Sequence, residues 1–181
     1  MSIEIHDKEL DKALESLAMR LNNTAPLMQR ISVELLAQTM LNFRAEGRPA
    51  WAGLSPAYAA TKQGGKILQL SGQLAASVTP YHSAVVAGVG TNKSYAAVHQ
   101  FGGKIDQPSR KGEVYFKQGK DGTVGNRFVK KSQSNFAQSV VFKARSVGIT
   151  ARPYLPFIAG QLQPEARGAI MLVIDRYVSQ P

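Results

Sequence analysis

TNKSYAAVHQFGG (residues 91–103) and ITARPYLPFI (residues 149–158) are the two shoulders of this 181-residue chain. In the first, Tyr95 through Phe101 predicts one or two turns of helix after an apolar strand. The helix stops at Gly102-Gly103, where the missing Cβ permits a sharp change of direction. The second starts as a strand and ends in Arg152-Pro153-Tyr154-Leu155-Pro156, where two prolines forbid further ladder donation. Between the shoulders lies a basic, turn-rich segment of different composition. The pattern predicts one domain over residues 1–181, its core interrupted by a basic excursion over residues 104–148.

Upstream of the shoulders the period is helical. Residues 7–21 predict a helix with Asp7 as N-cap and Leu10, Leu14, Leu17 and Leu21 on one stripe. Residues 25–45 predict the longest helix, capped by Thr24 with Pro26 in its first turn. Its rows Leu27-Ile31-Leu35 and Met28-Leu36-Met40-Phe43 suit a helix lying across a sheet. Two short helices separated by a break predict a packed hairpin rather than a coiled coil. Gly47 and Pro49 end the second helix, and residues 48–69 predict a connecting loop. Its lone Trp51 is a plug over the edge of the core or an interface anchor. Thr61-Lys62-Gln63-Gly64-Gly65-Lys66 lacks the spacing of a phosphate-binding loop. Ser71 is placed to cap a short helix around Leu74. Val78–Tyr81 and Ser83–Gly90 predict a hairpin whose uncharged second strand is central.

Within the excursion, residues 113–117 and 127–131 predict short strands joined by a turn at Gly119–Gly122. Tyr115, Phe116 and Phe128 interleave with lysines and arginines. That spacing fits a nucleic-acid stacking platform and equally a hairpin with one packed and one solvated face. Residues 138–151 predict a strand returning to the main sheet. Pro164-Glu165 start a last helix to about residue 178, with Ile170, Val173, Ile174 and Tyr177 on one face. It is expected to pack beside the long helix.

Composition narrows the chemistry. The chain has no cysteine, which excludes disulfides, thiolate catalysis and zinc–sulfur or iron–sulfur sites. His6, His82 and His99 show no HxxxH or HExxH spacing, so no metal and no cofactor is expected. His99 has no nucleophile or orienting acid beside it in sequence, which favours a packed or interface histidine over a general base. No apolar run approaches the roughly 20 residues of a membrane span, and the N-terminus lacks a basic-then-apolar signal. The expectation is a product of the cytosol, or a particle part assembled there. Net charge is +10. Residues 104–148 hold ten basic and three acidic side chains, so ten minus three leaves +7 in that quarter of the chain. Such a surface fits an acidic partner, either nucleic acid or an acidic protein face. The plainer explanation is that lysines on strand edges block aggregation.

Five short motifs occur in order: Trp51 with Leu54; Leu70-Ser71-Gly72 with Leu74; Val89-Gly90-Thr91-Asn92 with Tyr95-Ala96; His99-Gln100-Phe101-Gly102-Gly103; and Ala151-Arg152-Pro153-Tyr154-Leu155. Together they resemble the virion-morphogenesis, or tail-completion, family of tailed phages of the Mu and P2 type, over roughly residues 10–178. The resemblance implies an α+β fold, a small mainly antiparallel sheet on two or three helices, here with a projecting basic β-hairpin arm. It implies a structural role at the head–tail junction of the virion, in the neck, with copies closing into a sixfold ring beside connector and tail proteins. No catalytic constellation is visible in the sequence, so no enzymatic activity is expected. The expected contact residues are Tyr95, His99, Gln100, Arg152 and Tyr154 at the shoulders, with Lys117, Arg127, Lys130 and Lys131 on the arm. The arm faces a neighbouring protein or the DNA in the lumen. The alternative is a free nucleic-acid-binding protein using the same basic segment. A small hydrolase is disfavoured, because Glu34, Glu46, Glu165 and Asp175 form no paired motif and no GxSxG is present.

Overall fold

The computed structural model describes residues 8–62 and 64–179. Asp7, the expected cap of the first helix, and His6 lie outside them. The chain divides into two compact units. The body comprises Met1–Gly102 and Thr150–Pro181, and the arm comprises Gly103–Ile149. The fold is α+β, with small antiparallel sheets beside helices.

The body begins with α1 (Lys8–Asn22) and α2 (Ala25–Ala45), followed by the short helices α3 (Pro56–Thr61) and α4 (Gln73–Ala76). The hairpin β1 (Val78–His82) and β2 (Ala87–Thr91) leads into α5 (Ala96–Phe101). Helix α2 is the spine, packing against β1, β2 and the C-terminal helix. Its buried stripe is Ser32, Leu35, Gln38, Thr39, Asn42 and Phe43, repeating at helical spacing. That stripe is more polar than the apolar rows predicted from sequence. Thr39 returns its hydroxyl to Leu35 O at 2.8 Å, which satisfies it locally. Leu35, Phe43, Trp51, Leu74, Val78, Val89, Ala96 and Tyr154 form the core. Trp51 is therefore a plug, edge-on to Phe43 with ring centroids 6.0 Å apart.

Several boundaries differ from the sequence expectation. Val85 and Val86 belong to the β1–β2 connection rather than to a central strand, and Val85 is 79% exposed. Strand-forming residues there are spent on a turn. Gly72, rather than Ser71, occupies the N-cap position of α4. The stretch expected as a loop contains α3, whose first turn is set by Ser55 Oγ accepting from Tyr58 N. Thr24 occupies the N-cap position of α2 without capping it; its hydroxyl donates to Ala84 O. Two leucines of the α1 stripe, Leu14 and Leu21, are each more than half exposed, unlike those of a packed hairpin.

The arm is one antiparallel ribbon in two stretches. β3 (Gly103–Gln107) pairs with β6 (Arg145–Ile149), and β4 (Arg110–Phe116) pairs with β5 (Phe136–Phe142). The register continues across the gap: Gln107 lies opposite Arg145, and Arg110 opposite Phe142. Residues 138–151 thus pair within the arm and do not return to a main sheet. The expected strand at 127–131 is absent. That segment lies in the irregular tip, where Val129 N reaches Tyr115 O at 2.9 Å, and Asn135 and Gln118 bond reciprocally through Asn135's side-chain amide. Asp121 accepts from the Thr123 hydroxyl and N–H, which holds its carboxyl below the usual range.

After the arm, the hairpin β7 (Phe157–Ile158) and β8 (Gln161–Leu162) precedes α6 (Pro164–Ser179). Helix α6 lies along α2 as expected, with Ala166 and Tyr177 buried. The Tyr177 hydroxyl lies 3.2 Å from Asn23 O, joining α6 to the α1–α2 connection.

The exit from α2 is a tightly packed turn. Glu46 is left-handed at φ 57, and Gly47 follows at φ 100, a conformation L side chains rarely adopt. A Cβ on Gly47 would lie 2.4 Å from Trp51 Cδ1 and 2.6 Å from Pro49 O. Gly47→Ala is expected to cost about 2–4 kcal/mol in denaturant unfolding. Gly53→Ala, where a Cβ meets nothing within 4 Å, should stay within about 0.5 kcal/mol. Equal midpoints for the two variants would contradict this packing.

A candidate assembly surface

Six carbonyl and amide groups of the returning shoulder are claimed by side chains and backbone of the body. Arg152 N donates to His99 O at 2.7 Å. Trp51 Nε1 donates to Pro153 O at 2.9 Å. Gln100 Oε1 accepts from both Tyr154 N and Leu155 N at 3.0 Å, while its Nε2 donates to Phe157 O at 2.9 Å. Asn42 Nδ2 donates to Tyr154 O at 3.1 Å and to Gln163 Oε1 at 2.9 Å. Arg48 completes the network, donating to Asn42 Oδ1 at 2.8 Å and to Gln38 Oε1 at 2.8 Å. The two prolines explain the arrangement: a segment that cannot enter a ladder has its polar groups met by side chains instead.

This geometry divides the expected contact residues. Gln100 is 4% exposed and Tyr154 is 2% exposed. Both are consumed by the chain's own core, so they position the surface and do not form it. The Tyr154 ring stacks on Phe43 at 5.3 Å, and burial raises its pKa. Tyr95, His99 and Arg152 come together around α5. Tyr95 is exposed and meets the His99 ring edge-on at 5.9 Å. Arg152 donates through Nε to Ala52 O at 3.0 Å and through its terminal nitrogen to Gly53 O at 2.8 Å. Lys117, Arg127, Lys130 and Lys131 are all exposed and cluster in sequence at the arm tip. Lys131 Nζ lies 5.8 Å from the Tyr115 ring centre, and Phe128 packs on Phe116 at 5.2 Å.

Asn42, Arg48 and Gln163 were not singled out from the sequence. The available signal was the polar run Gln38, Thr39 and Asn42 on the helix face otherwise read as apolar. Among the described residues, no group of three His, Asp or Glu side chains is placed to hold a metal. No described helix is long and apolar enough to cross a membrane.

The model of the phage virion morphogenesis family matches residues 5–179, spanning body and arm. The chain belongs to that family. It is 40% identical over 105 residues to the Mu-like prophage FluMu G protein 2 of Haemophilus influenzae, covering 58% of this chain and 72% of that protein. It is 29% identical over 119 residues to the "Putative capsid assembly protein G" of Escherichia phage Mu, covering 61% of this chain and 76% of that protein. No solved structure matches the chain. Membership of the family gives the chain a structural or assembly role in the phage particle.

Two predictions follow from the shoulder. Gln100→Ala strands two amides and a carbonyl in the interior, an expected loss of about 2–5 kcal/mol in denaturant unfolding; a loss under about 0.5 kcal/mol would remove Gln100 as the clasp. Burial, and then the Arg152 guanidinium, lower the His99 pKa. Its buried Nδ1 has no hydrogen-bond partner among the described residues, so a proton placed there would be an unmet donor. The neutral ring is favoured by folding. Its contribution is whole above the unfolded value of about 6.5 and declines as pH falls through that value toward the folded one. Melting should therefore fall more between about pH 7.5 and about pH 5.5 in the wild type than in His99→Phe. Equal falls would contradict it.

Proposed function

We propose that this chain is a structural subunit of the phage head–tail junction, closing into a ring with copies of itself and finishing the tail end that meets the head. The observation that carries the reading is the state of the arm. No residue of Gly103–Ile149 is fully buried. Val141 is 65% exposed and Phe128 is 74% exposed. An isolated two-stranded ribbon with so little core is marginal in water, and β3 to β6 each pair with one strand only. Open edges and a thinly covered face are what strand addition to a neighbour uses. The capsid-assembly and Mu-like prophage names of the relatives support an assembly role for this chain in the same direction.

In this reading the body supplies a rigid frame and the arm supplies the contacts. The α5 surface of Tyr95, His99 and Arg152 forms the second contact, and the cations of the tip meet an acidic face of the adjoining subunit or ring. Around a closed ring, weak contacts multiply through local concentration. The role needs shape and charge, with no reactive group.

The solution mass of the purified full chain, with and without isolated tails, tests this. The expected result is a closed oligomer, sixfold, or one that forms on tails. Lys130→Glu with Lys131→Glu should leave circular dichroism unchanged and reduce assembly at least about tenfold, since like charges then face an acidic surface. A wild-type chain that stays monomeric under both conditions, or a variant that assembles normally, overturns the proposal.

A further inference from the structure

We propose that the seam of the arm, between the β3–β6 and β4–β5 stretches, is a binding site for the sugar–phosphate backbone of duplex DNA. The site concerns the seam rather than the tip and does not depend on ring closure. Pro108 lacks an amide hydrogen, and Pro108-Ser109 and Lys143-Ala144 fall between the two paired stretches. An open cleft of about 640 Å³ lies at this gap, lined by Asp106, Gln107, Arg110, Phe142, Lys143 and Arg145 among others. Three cations and one carboxylate leave a net charge of +2 in it.

Two of the cations are held in place. The Arg110 guanidinium lies over the Phe142 ring, 5.0 Å from its centre. Arg145 Nε donates to Gln107 Oε1 at 2.7 Å. Lysines that merely protect strand edges need no such partners and lose entropy if given them. A guanidinium fixed by stacking or by one hydrogen bond presents its remaining donors in a set geometry, which matches the paired oxygens of a phosphodiester. The surrounding arm, with ten basic and three acidic side chains, adds a field that draws in a polyanion. Asp106 opposes an anionic ligand at close range, which gives the proposal a signed test.

Anisotropy of a labelled duplex of about 20 base pairs, titrated with the full chain over a salt series, measures the site. Arg110→Gln/Arg145→Gln and Lys130→Gln/Lys131→Gln each remove two charges, one pair from the seam and the other from the tip. The seam pair should weaken binding at least about tenfold and flatten the salt slope by about 2, whereas the tip pair should weaken it less than about threefold. Asp106→Asn should tighten binding. If the seam pair disturbs the circular dichroism spectrum, Lys143→Gln alone should still flatten the slope by about 1. The proposal is overturned if the wild type does not bind the duplex, if both pairs lose affinity equally, or if poly-glutamate binds the seam with the same dependence. The mass of each variant in solution, measured on the same samples, separates failure of this site from failure of ring formation.

Discussion

The body depends on a polar clasp at a place where a backbone ladder is impossible. Pro153 and Pro156 remove two donors from the shoulder that returns from the arm. The remaining amides and carbonyls would be costly to bury unpaired. Gln100 satisfies three of them with a single side chain, and Asn42 and Trp51 take two more. Arg48 and Gln163 hold Asn42 in place, so the network spans α2, the turn after it, α5 and the start of α6. Networks of this kind are specific because every member is needed; half-satisfied, they are worse than an apolar core.

The clasp also fixes where the chain leaves the body and where it re-enters. Gly102 ends α5 at φ 73, and Arg152 is bonded to His99 three residues before it. The strands leading into and out of the arm therefore begin from anchored points. Stacking of Tyr154 on Phe43, and of Phe43 edge-on to Trp51, places apolar burial directly under the polar network. Burial contributes the driving force, and the hydrogen bonds select one arrangement among those that would bury similar area.

The long helices were legible because their 3.6-residue period is carried by many residues at once. Leu27 through Phe43 announces α2, and Pro164 through Tyr177 announces α6. The break at Gly102 was legible because few residues other than glycine tolerate that backbone. The arm was legible from composition, and strands expected at 113–117 and within 138–151 are present as β4, β5 and β6, but their pairing was not foreseen. Phe128 and Val129 look like strand residues, yet they serve an irregular tip in which Phe128 covers Phe116. Val85 and Val86 misled in the same way. Gln100 and Tyr154 stood out from the two shoulder motifs that carry them, although as contacts rather than as the clasp they form. Asn42, Arg48 and Gln163 come from three distant parts of the chain, and no periodicity joins residues that meet only through tertiary structure.

The parity of the arm's pairing carries one more physical consequence. In the outer stretch Val114, Phe116, Phe136 and Val140, all at even positions, are half-buried on one side, with Tyr115 alone half-buried on the other. In the inner stretch the half-buried apolar residues are Val147 and Ile149, at odd positions, and Val147 pairs with the exposed Ile105. Side chains alternate faces along a strand. With the register unbroken, the apolar side therefore changes between Gln107 and Arg110. A regular ribbon would have to expose one of the two apolar sets wherever the other was covered. Pro108 relieves that conflict, because it interrupts the ladder at the point where the pattern switches. The interruption opens the cleft in which Arg110, Lys143 and Arg145 gather. The same local break thus reconciles two apolar faces and gathers Arg110, Lys143 and Arg145 in one cleft, two of them held by neighbouring side chains.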